Sequence, residues 1–182
     1  MKDLKCDLES LYTESINCDV NLRVETEIIP VHKAILSARS PVFRAMFSHD
    51  IKENASGFID INDMDMKTLR LVLMYMYTNT LQDLDGTNVQ KLYMAADKYE
   101  LSSLKEQCSS YMLNYITAEN AGEILAFADM IKDDHLKSCV QEYVVHYDEE
   151  VFKTAAWKTF IKSCPPLAAE TMLLKYLKTN KF

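Results

Sequence analysis

The stretch Val31-His32-Lys33-Ala34-Ile35-Leu36-Ser37-Ala38-Arg39-Ser40-Pro41-Val42-Phe43-Arg44-Ala45-Met46-Phe47 decides the fold. From His32 onward the apolar positions Ala34, Ile35, Leu36 and Ala38 take helical spacing. Ser40-Pro41 interrupts that helix, because the residue before a proline is pushed out of the α region. Val42 to Phe47 then supplies another turn or two of helix, and the polar Ser48-His49-Asp50 follows. Just upstream, Asp19-Val20-Asn21-Leu22-Arg23-Val24-Glu25 alternates strictly, which predicts a half-buried strand with Val20, Leu22 and Val24 inward. Thr26 to Val31 predicts a second strand after a tight turn, with Pro30 at its end or on an exposed edge. A hairpin therefore feeds two short helices.

Farther out, Asp3 caps a first helix on which Leu4, Leu8, Leu11 and Tyr12 share one face. A terminal helix with such a stripe has to bury it, on its own domain or on a second copy. Downstream, Phe58 to Asn62 predicts a third strand, and Asp63 or Asp65 caps a helix running through Leu69, Val72, Leu73, Tyr75, Met76 and Tyr77. Asn79 to Asn88 predicts a turn-rich loop pivoting on Gly86. Helices are expected at 89–100, 102–115, 118–131 (with Thr117 as its cap), 133–147, 149–163 and 166–178, the last opened by Pro165-Pro166. The class is α+β over residues 1–115, followed by an all-helical region over 116–182.

Composition removes several classes of function. With 20 Lys and Arg against 27 Asp and Glu, the net charge is −7, and the four arginines form no stripe, so a nucleic-acid partner is not expected. Three glycines leave nothing from which to build a phosphate-cradling loop. Cys6, Cys18, Cys108, Cys139 and Cys164 are odd in number and contain no C-x-x-C pair, which points to reduced thiols and an intracellular address. No run approaches the roughly 18 apolar residues of a membrane span. The reading is a soluble protein of nucleus or cytoplasm, with no membrane partner.

Candidate chemistry dissolves on inspection. His135, Cys139 and Glu142 share a helix face, but ligands on one exposed helix without a partner cluster rarely hold a metal. Asp60-Ile61-Asn62-Asp63-Met64-Asp65 starts like a calcium loop, yet Met64 takes an oxygen position and Asp65 the place of glycine. Ser102-Ser103-Leu104-Lys105 lacks the companion motifs of a serine acyl-enzyme. His32 is a satisfied core histidine rather than a base. No enzyme, cofactor or metal is expected. What stands out is ten Met and ten Tyr, an interface-friendly composition, and Ile51 set among polar residues in an expected loop.

The quoted stretch, with Asp19-Val20 before it and Tyr75-Met76-Tyr77-Thr78 and Ala95-Ala96-Asp97-Lys98-Tyr99 after it, resembles the BTB/POZ family. Glu119-Asn120-Ala121-Gly122-Glu123-Ile124-Leu125 and Ala156-Trp157-Lys158 resemble the short helical BACK region of the speckle-type POZ and TD-and-POZ group. The resemblance implies a BTB/POZ fold, a small three-stranded sheet with helices, and then a truncated BACK-like extension. It further implies a homodimer that recruits the N-terminal domain of cullin-3 as a ubiquitin-ligase adaptor, for substrates bound elsewhere. Ile51-Lys52-Glu53 matches the family's apolar-x-Glu element, so Ile51 and Glu53, flanked by His49 and Tyr99, form the implied cullin-binding set. Leu4, Leu8, Leu11 and Ile35 map to the dimer seam. Met172 stands where the speckle-type relative has a tyrosine in a second self-association surface. A substrate-binding MATH domain is not seen upstream, which implies a fragment or an adaptor half, and no basic nuclear tail follows Lys178 to Phe182. The alternatives are a BTB dimerisation scaffold, or a co-repressor-binding module without cullin binding.

Overall fold

The computed structural model describes residues 3–50, 58–81 and 84–179. The chain divides into two compact units at Cys108/Ser109, inside a helix and ahead of the change of texture at 115.

In the first unit, α1 (Leu4–Thr13) is capped by Asp3, whose carboxylate accepts from the Lys5 N–H. The hairpin follows: β1 (Val20–Val24) pairs antiparallel with β2 (Glu27–Val31), Leu22 opposite Ile29. Period two puts Leu22, Val24, Ile29 and Val31 into the core, while Val20, expected inward, is half-buried at the strand's start. β3 (Phe58–Asp60) lies parallel to β1 on its other side, giving the order β2-β1-β3. A parallel neighbour needs a crossover. That crossover contains α2 (Lys33–Arg39) and α3 (Pro41–Asp50), the two helices of the deciding stretch.

The junction between them is chemically specified. Ser40 is wholly buried; its hydroxyl donates to the Tyr99 carbonyl at 2.7 Å and accepts the Phe43 N–H at 3.2 Å. Helix α3 runs through Asp50, so Ser48-His49-Asp50 is helical rather than a polar break. Helix α4 (Met66–Thr78) is capped by Asp65, not Asp63, and ends on Asn79 in the left-handed region at φ 57°. The expected loop about Gly86 is shorter than read. Asp85 and Asn88 form a reciprocal capping box that starts α5 (Gly86–Lys98) at the glycine itself. α6 (Ser102–Asn114) follows.

The second unit holds α7 (Ala121–Met130), α8 (Asp134–His146), α9 (Asp148–Val151), α10 (Ala155–Ser163) and α11 (Pro165–Thr179). Thr117 and Asn120 exchange side-chain-to-backbone bonds ahead of α7, but Asn120 rather than Thr117 occupies the cap position. The single helix expected over 149–163 is two, because the Thr154 hydroxyl caps a new helix by accepting the Trp157 N–H at 3.0 Å. Trp157 is 1% exposed, between Phe152 and Phe160 at 5.3 and 4.8 Å. α7 meets α10 at Gly122, where an added Cβ would sit 3.0 Å from that of Phe160. Lys137 on α8 ties Asp129 of α7 to Glu170 of α11 at 2.8 and 3.0 Å, and buried Gln141 donates to Glu170 and Thr171 beside it.

Candidate interaction surfaces

None of the ten residues of α1 is buried. Leu4 is 70% exposed, and Leu8 and Leu11 are half-buried, so the stripe read from sequence is present and only partly covered by its own unit. Ile35 on α2 is likewise half-buried, while its neighbour Leu36 is in the core. An apolar face of this kind is material for an interface.

The other expected set is placed less simply. Ile51 and Glu53 lie outside the described residues, and of His49 only the helical backbone is described. Tyr99 is 1% exposed. Its ring stacks on Phe43 at 4.6 Å, and its hydroxyl donates to Asp63 at 3.1 Å. Burial beside the Asp63 carboxylate raises its ionisation well above the ordinary tyrosine range. Tyr99 is therefore a core residue that holds α3 to the β3–α4 connection, and it offers a partner no open face.

Next to that connection is a surface that sequence reading missed. Asp63, Met64, Asp65 and Thr68 face Lys91, Met94, Ala95 and Lys98 of α5 across a groove of about 470 Å³. Lys98 pairs with Asp63 at 3.0 Å and Lys91 with Asp65 at 2.7 Å, while Met94, 53% exposed, gives the groove an adaptable apolar side. The sequence carried only a faint signal, a methionine between two aspartates at a strand end, because its partners lie about thirty residues away. The hydrogen bond from Lys91, then those from the Thr68 N–H and hydroxyl, lower the Asp65 carboxyl to about 2. A carboxylate lowered on folding stabilises the fold above its unfolded value of 3.8 and loses that contribution as pH falls through the folded one. Acid unfolding followed by circular dichroism should therefore steepen between about pH 4 and 2, and Asp65→Asn, which keeps the cap, should flatten that slope. Equal slopes would remove Asp65 from the acid response.

On α11, Met172, Leu173, Tyr176 and Leu177 are all exposed at spacing that gives one apolar face. Sequence reading had singled out Met172 alone. His135 and Cys139 do touch, Nε2 to Sγ at 3.9 Å, but no group of three or more metal-ligating side chains occurs among the described residues. Burial pushes the Cys108 thiol up to about 12. Among the described residues no helix is long and apolar enough to cross a membrane.

Residues 8–116 match the model of the BTB/POZ domain. The chain belongs to the BTB/POZ family. Its three-stranded sheet with helices and its helical extension are those implied by the resemblance read from sequence. The chain is similar to TD and POZ domain-containing protein 4 of Mus musculus, 34% identical over 93% of this chain and 47% of that protein. It is similar to TD and POZ domain-containing protein 1 of the same species, 35% identical over 90% and 45% respectively. Protein maternal effect lethal 26 of Caenorhabditis elegans is 33% identical over 90% of this chain and 42% of its own length. The chain thus spans about half the length of the curated relatives it matches. As a BTB/POZ domain it is a protein-interaction module of a kind that generally self-associates.

Proposed function

We propose that the chain is a homodimeric, non-catalytic BTB adaptor module that recruits the cullin-3 N-terminal domain to substrates bound elsewhere. The observation that carries self-association is α1, a helix with a leucine stripe and no buried residue. Leu4, Leu8, Leu11 and Ile35 form the seam, the same patch meeting itself across a two-fold axis. The cullin reading rests on Ile51-Lys52-Glu53, which stands between α3 and β3 where the family's apolar-x-Glu element stands. In the complex Ile51 supplies the buried anchor and Glu53 fixes register, with His49 in the same binding set. Tyr99 contributes to cullin binding by packing, through Phe43 and Asp63, and not by contact with the partner. Met172, with the rest of the α11 face, provides a second self-association surface. Residues 1–115 and 116–182 act as BTB and truncated BACK regions, in nucleus or cytoplasm, without cofactor.

Ile51→Ala is expected to weaken cullin-3 binding by about 1–3 kcal/mol in calorimetric titration, with helical content unchanged. Unaltered affinity would move the anchor elsewhere. A second reading, a BTB scaffold that binds a peptide without cullin, is favoured by one observation. A groove of about 380 Å³ runs along the edge strand β2, between Tyr12 and Thr13 of α1 and Arg70 and Met74 of α4. Strand edges of this kind accept extended peptides.

A further inference from the structure

A helix whose residues are at most half-buried needs more than apolar burial to fix its direction. α1 leaves its last turn through Ser15 and Asn17, both in the left-handed region at φ 53° and 55°, with Ile16 between them. The turn is closed by Ile16 N–H donating to the Leu11 carbonyl at 3.2 Å. The next carbonyl, that of Ile16, is held by His32 Nε2 at 2.7 Å. Since a carbonyl only accepts, Nε2 carries the proton. The other ring nitrogen, Nδ1, faces the Tyr77 hydroxyl at 2.7 Å, and that hydroxyl accepts the His32 backbone N–H at 3.0 Å. The hydroxyl proton is thereby aimed at Nδ1, so in the Nε2–H tautomer every donor in the set has an acceptor. Burial pushes Tyr77 up to about 12, which keeps that proton in place. Finally the Tyr77 ring packs on Tyr12 at 5.0 Å, which returns the chain of contacts to α1.

We infer that His32 and Tyr77 are positioning residues for self-association: with Ile16 and Tyr12 they form a closed polar latch that sets the direction in which α1 presents its leucine stripe. The inference rests on the reading of α1 as the self-association helix. Both act through the end of α1, Tyr77 through Tyr12 and His32 through Ile16. His32, the residue before α2, makes no side-chain cap bond to that helix, because its ring is committed to the latch. Removing the Tyr77 hydroxyl leaves two half-buried polar groups without a partner, while the ring contact with Tyr12 survives.

The test uses the full chain. Tyr77→Phe should raise the dimer dissociation constant about tenfold in sedimentation. In the Leu8→Asp, Leu11→Asp background, where the seam itself is broken, it should also quicken amide exchange in α1 and residues 14–18 while β1 and α4 stay protected. His32→Gln, whose amide nitrogen can still reach the Ile16 carbonyl, should retain more affinity than His32→Leu, and nitrogen NMR of the wild type should report the Nε2–H tautomer. Equal affinity in the Gln and Leu variants, or unchanged α1 exchange in the monomeric background, would overturn the latch. Loss of protection spread evenly over β1 and α4 would also overturn it, leaving Tyr77 a core residue only. A Leu8→Asp, Leu11→Asp chain that remains dimeric would instead remove the seam, and the latch's purpose with it.

Discussion

Leu8→Asp with Leu11→Asp is expected to convert the dimer to a monomer in sedimentation, with helical content unchanged. Both positions are only half-buried in their own unit, so the change costs the isolated fold less than it costs the seam. Across a two-fold seam each new carboxylate meets its own copy. Desolvating four like charges without partners costs several kcal/mol, more than a seam built from six half-buried leucine and isoleucine side chains and two exposed Leu4 side chains can offset. A dimer that persists would place the seam elsewhere, and α11 would be the next surface to examine.

Trp157→Ala is expected to cost the second unit about 3–5 kcal/mol, the usual price of emptying a large buried aromatic site. The site has no means of collapsing cheaply. Phe152 stacks on the indole and Phe160 packs tilted against it, and Phe160 is already held close to α7 at Gly122. Thermal unfolding followed at several probes is the measurement. The loss should fall on the helices of residues 109–182, while signals from the three-stranded sheet persist at temperatures where the helical unit has melted. A loss below about 1 kcal/mol would mean that the aromatic cluster is not the core of that unit.

The hairpin's first strand was legible because alternation with period two has one structural meaning over Asp19 to Glu25, and the core faces of Leu22 and Val24 followed from it. The deciding stretch was legible for a similar reason, Ser-Pro being local chemistry that ends one helix and begins another. Reading failed where a side chain, not periodicity, sets a boundary. Thr154 splits a continuous helical pattern by capping it afresh, and Asp85 with Asn88 starts a helix on a glycine that reads as a pivot. Site residues were harder. Tyr99 carried a family signature but no sign of its burial, since Phe43 and Asp63 come from distant parts of the chain. The groove at Met94 and the latch at His32 are both assembled from segments separated by whole elements of the chain, and no local pattern announces either.

On the proposed function, this BTB module binds cullin-3 through the segment between α3 and β3. Calorimetric titration of the chain with the cullin-3 N-terminal domain, beside the Ile51→Ala, Glu53→Ala double variant, tests it most directly. Binding at one cullin domain per protomer is expected, lost in the variant while self-association remains intact. Absence of heat with the wild-type chain, or equal binding by the double variant, would contradict it.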